Sequence, residues 1–379
     1  MIDITGTPSS QLRTSNCPDY WRSSVSHTEC SLHQLAPYIG KLKSIIARDL
    51  VTSYSRVGQL VVDPFSGSGT IPLEATLLGR NVFASDSSAY AATLTRAKLN
   101  PASSLETAFK TVDEIAYVSE PHGAVDLRTV PAWVRAFFHP QTLKSVLRFW
   151  YAAMASDQYF IMACLLGILH HQRPGFLSYP ASHLVPYLRS NKFPEHLYPE
   201  LYSYRPFRPR LLAKIERALA RCSPRPIVAS DFVHAPLRMV DFPSGFDALI
   251  TSPPYMNALD YERDNRLRLW FLKPDTNCSD REPGCRSISD FVNLVRTLAD
   301  LVEARLANRG HCVLVVGESV SRGSASLRHP ARIALDIMRE RASSLTLLHE
   351  IRDSIPDIRR ARRENAAVKS ESVLVFKKK

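Results

Sequence analysis

The chain has 379 residues, 48 Lys and Arg against 36 Asp and Glu, and a formal net charge of +12. That length can bury a large core in one elaborated domain or two, and the basic excess favours a polyanionic partner, nucleic acid first. Seven scattered cysteines with no Cys-x-x-Cys pair argue against a disulfide framework or a zinc site. No secretory leader pattern and no apolar run of membrane-span length is seen, which predicts a protein of the cytoplasm with no membrane partner.

Residues 1–30 are polar and read as a loose arm. From His33 the chain leads through Pro37-Tyr38-Ile39-Gly40-Lys41 into a helix ending near Thr52, with Ile45, Ile46 and Leu50 on one face. Residues 59–64 form a strand that enters a turn, Pro64-Phe65-Ser66-Gly67-Ser68-Gly69, and then a helix from Thr70 to Leu78 capped by Gly79. The second strand is Asn81–Asp86. Its terminal Asp86 sits where an acidic side chain reaches ribose hydroxyls in nucleoside-binding α/β folds; capping of the next helix, Ala89–Leu99, is the alternative role.

Residues 102–223 depart from a minimal sheet. Apolar helical patterns such as Leu143-Val146-Leu147-Trp150 alternate there with a stretch, 187–210, rich in Tyr, Phe, Arg and Lys. Interleaved aromatic and cationic side chains, Arg205 and Arg208 among them, suit contact with bases and phosphates; amphipathic packing with solvated charges is the plainer alternative. The sheet resumes with Pro226–Asp231 and then Phe246–Ile250. A helix over about 288–308 is opened by Ser287 or Ser289 and closed by Gly310. The strand His311–Gly317, a helix over 330–343 and two last strands, 345–351 and 371–376, complete the chain. The order predicts an α/β fold: a seven-stranded, mostly parallel sheet, the last strand antiparallel, with a largely helical insertion.

Two strand ends carry chemistry. Thr251-Ser252-Pro253-Pro254-Tyr255 follows a buried strand, and the two prolines stop the strand and stiffen the turn. A rigid turn with one hydroxyl and one aromatic ring suits a planar base bearing an amino group. Tyr255 would stack on the base, and the Ser252 hydroxyl and the Pro253 carbonyl would accept the amine hydrogens. The Gly-x-Gly turn lacks the third glycine of a dinucleotide fingerprint and the Lys-Ser/Thr of a P-loop. Between the last two strands, Arg359, Arg360, Arg362 and Arg363 form a cluster that suits phosphate contact.

Asp63-Pro64-Phe65-Ser66-Gly67-Ser68-Gly69-Thr70 resembles the S-adenosylmethionine-binding motif of DNA amino-methyltransferases, and Thr251–Tyr255 resembles their catalytic motif in its cytosine-N4 form. The resemblance implies a Rossmann-like class I methyltransferase domain over 31–101 and 224–379, with 102–223 as an inserted target-recognition region. It implies S-adenosyl-L-methionine as cofactor, held by Asp63, Pro64, Phe65, Gly67, Gly69, Thr70 and Asp86. Tyr38 and Lys41 would cover its methionine end, and Asp231 would contact its adenine amine. Ser252, Pro253, Pro254 and Tyr255 would be catalytic, with no metal. Double-stranded DNA is the implied substrate, in a restriction-modification system with a cognate endonuclease acting on the same sequence.

In many cytosine-N4 enzymes the catalytic motif comes first, whereas here it comes second. The alternatives are an RNA guanine-N2 methyltransferase, a DNA adenine-N6 methyltransferase and a non-catalytic nucleic-acid-binding protein. The first two more often carry an acidic or amide residue where Ser252 stands.

Overall fold

The computed structural model describes residues 14–23, 28–119, 125–183, 185–222, 225–254, 261–273, 287–317, 330–355 and 369–379. The strands are β1 (Thr14–Asn16), β2 (Leu60–Asp63), β3 (Asn81–Asp86), β4 (Ser230–His234), β5 (Phe246–Thr251), β6 (Leu306–Gly317), β7 (Leu345–Ile355) and β8 (Lys369–Lys378). They form one sheet in the order β1-β7-β8-β6-β5-β2-β3-β4. Every pairing is parallel except those of β8, which runs antiparallel to both β6 and β7. The Rossmann-like class I methyltransferase sheet expected from the sequence is therefore present, with β8 antiparallel to its two neighbours.

Among the described residues the sheet has eight strands rather than seven. The extra one comes from the segment read as a loose arm: Thr14–Asn16 pair in parallel with Glu350–Arg352 of β7. Just beyond, Trp21 is buried and its indole N–H donates to Asp49 at 2.6 Å. One large aromatic side chain gives this polar segment enough apolar area to dock.

The helices are α1 (Ser44–Tyr54), α2 (Thr70–Leu77), α3 (Ala89–Leu99), α4 (Leu105–Ser119), α5 (Ala132–Arg135), α6 (Pro140–Ala155), α7 (Tyr159–Gly167), α8 (Phe207–Leu219), α9 (Tyr261–Leu272), α10 (Ile288–Arg305) and α11 (Pro330–Arg341). On one face of the sheet, α10 and α11 pack against β2, β5, β6 and β8. Ser287 starts α10 with a capping box to Asp290. The helix stops at Arg305, and Gly310, expected to close it, lies inside β6. On the other face, α1, α2 and α3 pack against the sheet.

The insertion adds a second layer outside these. Helices α4–α8, joined by α9, share one apolar core with Leu73 of α2 and Tyr90, Leu94 and Ala97 of α3. The insertion is thus an outer shell continuous with α2 and α3, not a lobe with its own core.

Candidate active site

Strands β2 and β5 lie side by side, Val61 opposite Ala248 and Val62 opposite Leu249, so the Gly-x-Gly turn and the Ser-Pro-Pro turn leave the same edge of the sheet. The two turns are also joined directly. Thr251 Oγ1 donates to Asp63 Oδ1 at 2.6 Å, and the same oxygen accepts from the Phe65 amide at 3.3 Å. Asp63 is buried, which pushes its carboxyl up to about 7. Asp63 therefore braces one motif against the other. At the opposite ends of the strands, Asp247 accepts from the Leu60 amide at 2.8 Å and from Gln59 Nε2 at 3.0 Å.

The turn after β2 is shaped by two glycines with positive φ, Gly67 at +50° and Gly69 at +71°. A Cβ on Gly69 would stand 2.9 Å from Thr95 Oγ1 and 3.0 Å from Thr95 Cα, so α3 packs too close for any side chain there. The Gly67 amide donates to Asp86 Oδ2 at 2.8 Å, and the Ser88 amide donates to Asp86 Oδ1 at 2.9 Å. Desolvation raises the Asp86 carboxyl to about 6. Pro64 and Thr70 are buried behind the turn. The Ser85 hydroxyl donates to the Pro64 carbonyl at 3.3 Å, and Thr70 Oγ1 pairs with Ser68 Oγ at 2.9 Å.

Tyr38 lies over this turn. The position of a Cβ on Gly67 is 3.5 Å from Tyr38 Cε1, and the Tyr38 ring stacks on Tyr90 at 5.8 Å and 25°. Tyr261, at the start of α9, adds a third ring 6.1 Å from Tyr38. Lys41 turns its ammonium onto the His33 carbonyl at 2.7 Å, which closes the 33–41 segment on itself. The structure thus brings Tyr38, Asp63, Pro64, Phe65, Gly67, Gly69, Thr70 and Asp86 to one strand-end region.

Asp231 is not brought there. The apolar run Pro226–Ala229 precedes the ladder instead of forming it, with Ile227 fully exposed, so β4 starts at Ser230. Asp231 stands opposite Phe83, and His234 is the residue level with Asp86. Asp231 instead lines a cleft of about 610 Å³ with Arg96, Asn100 and Tyr159, at the far end of α3. His234 Nε2 meets the Ser87 carbonyl at 3.1 Å, beside Asp86.

In the turn after β5, Ser252 Oγ donates to the Val315 carbonyl of β6 at 3.2 Å. Its proton is thus directed at β6. Pro253 is buried and Pro254 half-buried. Tyr255 lies outside the described residues, as do Arg359, Arg360, Arg362 and Arg363.

Two arginines of the insertion do not match the nucleic-acid surface expected of them. Arg205 is buried, and its guanidinium donates to the carbonyls of Phe176, Ser178 and Leu201. It satisfies three loop carbonyls, and burial keeps its charge away from any phosphate at the surface. Arg208 is exposed but paired with Asp113. Three aromatic side chains of the same stretch do face out, Tyr187, Tyr198 and Tyr204, whereas Phe193, Tyr202 and Phe207 are half-buried. Arg266 ties α9 to the start of this stretch, donating to the Pro186 carbonyl at 2.9 Å.

Reading the sequence for function passed over His33, Arg48 and Glu74. Glu74 belongs to the Gly-Thr-x-x-x-Glu string at the start of α2, and its signal is an acidic residue in a helix with no polar face.

The UPF0020 family model, described as "RMKL-like, methyltransferase domain", matches residues 35–118, the segment that holds the Gly-x-Gly turn, Tyr38 and Asp86. No curated protein matches the chain. Among solved structures, the chain is similar to a TehB-like SAM-dependent methyltransferase from Corynebacterium glutamicum, at 10% identity over 88% of this chain and 87% of that one, with a TM-score of 0.33. It is also similar to an rRNA methylase from Streptococcus thermophilus, at 9% identity over 89% and 97%, TM-score 0.34. A third is the magnesium protoporphyrin IX methyltransferase of Synechocystis PCC 6803 with bound SAM, at 10% identity over 88% and 77%, TM-score 0.31. With the sheet order and the family match over residues 35–118, the chain carries a methyltransferase domain.

Proposed function

We propose that this methyltransferase modifies the exocyclic amine of a nucleobase, and that its substrate is the N4 amine of cytosine in double-stranded DNA at a specific site, as in restriction-modification. The observation that carries the reading is the Asp63–Thr251 brace, which supports the cofactor turn and the Ser-Pro-Pro turn at neighbouring strand ends. The chain supplies positioning and acceptors. S-adenosylmethionine, when bound, supplies a methyl group already activated by its sulfonium. Asp86 would hold the ribose, Tyr38 would cover the methionine half, and the Ser252 hydroxyl and Pro253 carbonyl would orient the amine. Aligning amine, methyl carbon and sulfur is worth several kcal/mol, roughly the scale of an intramolecular advantage. Neutral acceptors at the amine stabilise the positive charge growing on nitrogen, so no strong base is needed.

A paired cytosine must leave the helix to be reached, at a cost of roughly a few kcal/mol. Basic and aromatic surface beside α9 would offset this through phosphate contacts and stacking. Replacing Arg359, Arg360, Arg362 and Arg363 together with Ala should weaken binding to all DNA sequences alike. It should also flatten the salt dependence by about 0.9 in log–log slope per lost phosphate contact.

The reaction itself is tested by incubating the protein with labelled cofactor and plasmid DNA, or with total RNA, and analysing the nucleosides by mass spectrometry. N4-methylcytosine supports the proposal. N6-methyladenine or an N2-methylguanine from RNA would move the substrate while keeping the site, and no labelled nucleoside from either would end the reading.

A further inference from the structure

Helix α2 begins in the cofactor turn and is buried on nearly every side, from Thr70 to Thr76. Its one carboxylate, Glu74, is 2% exposed. A buried carboxylate is tolerated only when it is paired and hydrogen-bonded, and Glu74 is both. His33 Nε2 meets Oε1 at 2.6 Å, and Arg48 Nε donates to Oε2 at 2.9 Å. His33 is itself 1% exposed, and burial holds its pKa below the ordinary histidine value, against the pull of Glu74, with Lys98 and Lys41 acting in the same direction as burial. It therefore meets Glu74 as a neutral donor.

His33 is the first residue of a segment tied down at three points. Its side chain is fixed to α2 through Glu74. The carbonyl of Pro37 accepts from Tyr90 Oη on α3 at 2.7 Å. The Lys41 ammonium returns to the His33 carbonyl at 2.7 Å. Tyr38 stands between these ties, with its ring against Gly67 and Tyr90. Helix α2 thus fixes both partners, the glycine turn by direct continuation and the covering ring through Glu74 and His33.

We propose that the His33–Glu74 contact is a positioning device for the cofactor, setting the height of Tyr38 over the Gly67 turn. The proposal rests on the reading of this region as the S-adenosylmethionine site. His33 and Glu74 touch no cofactor; they act through Tyr38, and that indirectness is what the experiment reads.

S-adenosylmethionine and S-adenosylhomocysteine are titrated calorimetrically into the wild type, His33→Ala, His33→Gln, Tyr38→Ala and the His33→Ala/Tyr38→Ala double variant, with a melting curve for each. His33→Ala should weaken both ligands about tenfold, the scale of a lost hydrogen bond to a charged group. His33→Gln, which can still donate to Glu74, should recover most of the loss. In the Tyr38→Ala background, adding His33→Ala should change affinity less than twofold, roughly the limit for residues acting through one another. If His33→Ala does not fold, His33→Leu, which fills the space but cannot donate to Glu74, takes its place in the same comparison. Unchanged affinity in the single variant, or losses that multiply in the double one, would overturn the proposal. A wild type that binds neither ligand would sink the reading of the site, and the proposal with it, by a different signature.

Discussion

Helices α10 and α11 cover one face of the sheet in a single layer and keep a solvent side, whereas α2 and α3 on the other face are enclosed by α4–α9. In α10 the buried apolar residues are Phe291, Val295, Leu298, Ala299 and Val302, the stripe of a helix with one partner. In α2 every residue from Thr70 to Thr76 is buried, and in α7 every residue from Phe160 to Gly167. The difference teaches where the site can afford polarity. A helix with a wet side places its charges in water, but α2 must satisfy Thr70 and Glu74 with protein groups, Ser68 for the first and His33 and Arg48 for the second. Double enclosure also leaves no slack around the glycine turn.

The largest expected effect tests that lack of slack. Gly69→Ala combines positive φ with a clash against Thr95 and should cost ~3 kcal/mol in denaturant unfolding, with loss of cofactor binding. Gly245→Ala has a similar φ of +74° but open space around it, and should cost only ~1 kcal/mol. Equal costs would break the comparison between enclosed and open sites.

The outer layer is tested next. Arg205→Ala leaves the carbonyls of Phe176, Ser178 and Leu201 without their donor and should destabilise the protein by ~2–4 kcal/mol. Its affinity for nucleic acid, measured on folded protein, should not change. A stable variant that binds DNA poorly would return Arg205 to the interface.

A smaller effect lies at Asp86. Asp86→Ala should weaken S-adenosylmethionine binding by roughly 1–3 kcal/mol, the range for a charge-assisted hydrogen bond. The carboxylate is the form that accepts from ribose hydroxyls, and burial places its pKa at about 6. Affinity should therefore be full above pH 7 and fall as pH drops through about 6, while Asp86→Asn should show no such step. A wild-type profile without the step would reject the ribose assignment.

The smallest effect is at Arg208, whose pair with Asp113 is more than half exposed on both sides. Arg208→Ala should change stability by under ~0.5 kcal/mol. Set beside Arg205, three residues away, it sharpens the contrast between a charge used by the core and one left to solvent.

The sequence by itself determined the parts that rest on local chemistry. Alternation, glycines and prolines placed β2, β3, β5 and the turns after β2 and β5. The helix Ala89–Leu99 matches its predicted span, and the last strand is antiparallel as expected from a sequence with no helical pattern before it. Only the tertiary structure decided the rest. An apolar run such as Pro226–Ala229 looks like a strand, but the partner decides where the ladder starts, and Asn81 sets it so that His234 rather than Asp231 reaches the strand end. Arginines at 205 and 208 look alike in a basic stretch, yet one meets loop carbonyls and the other meets Asp113. Likewise, the pairings of Glu74 with His33 and of Asp63 with Thr251 join residues 41 and 188 positions apart. Local propensity acts over a few residues, while a buried polar group finds its partner only when the layers close around it.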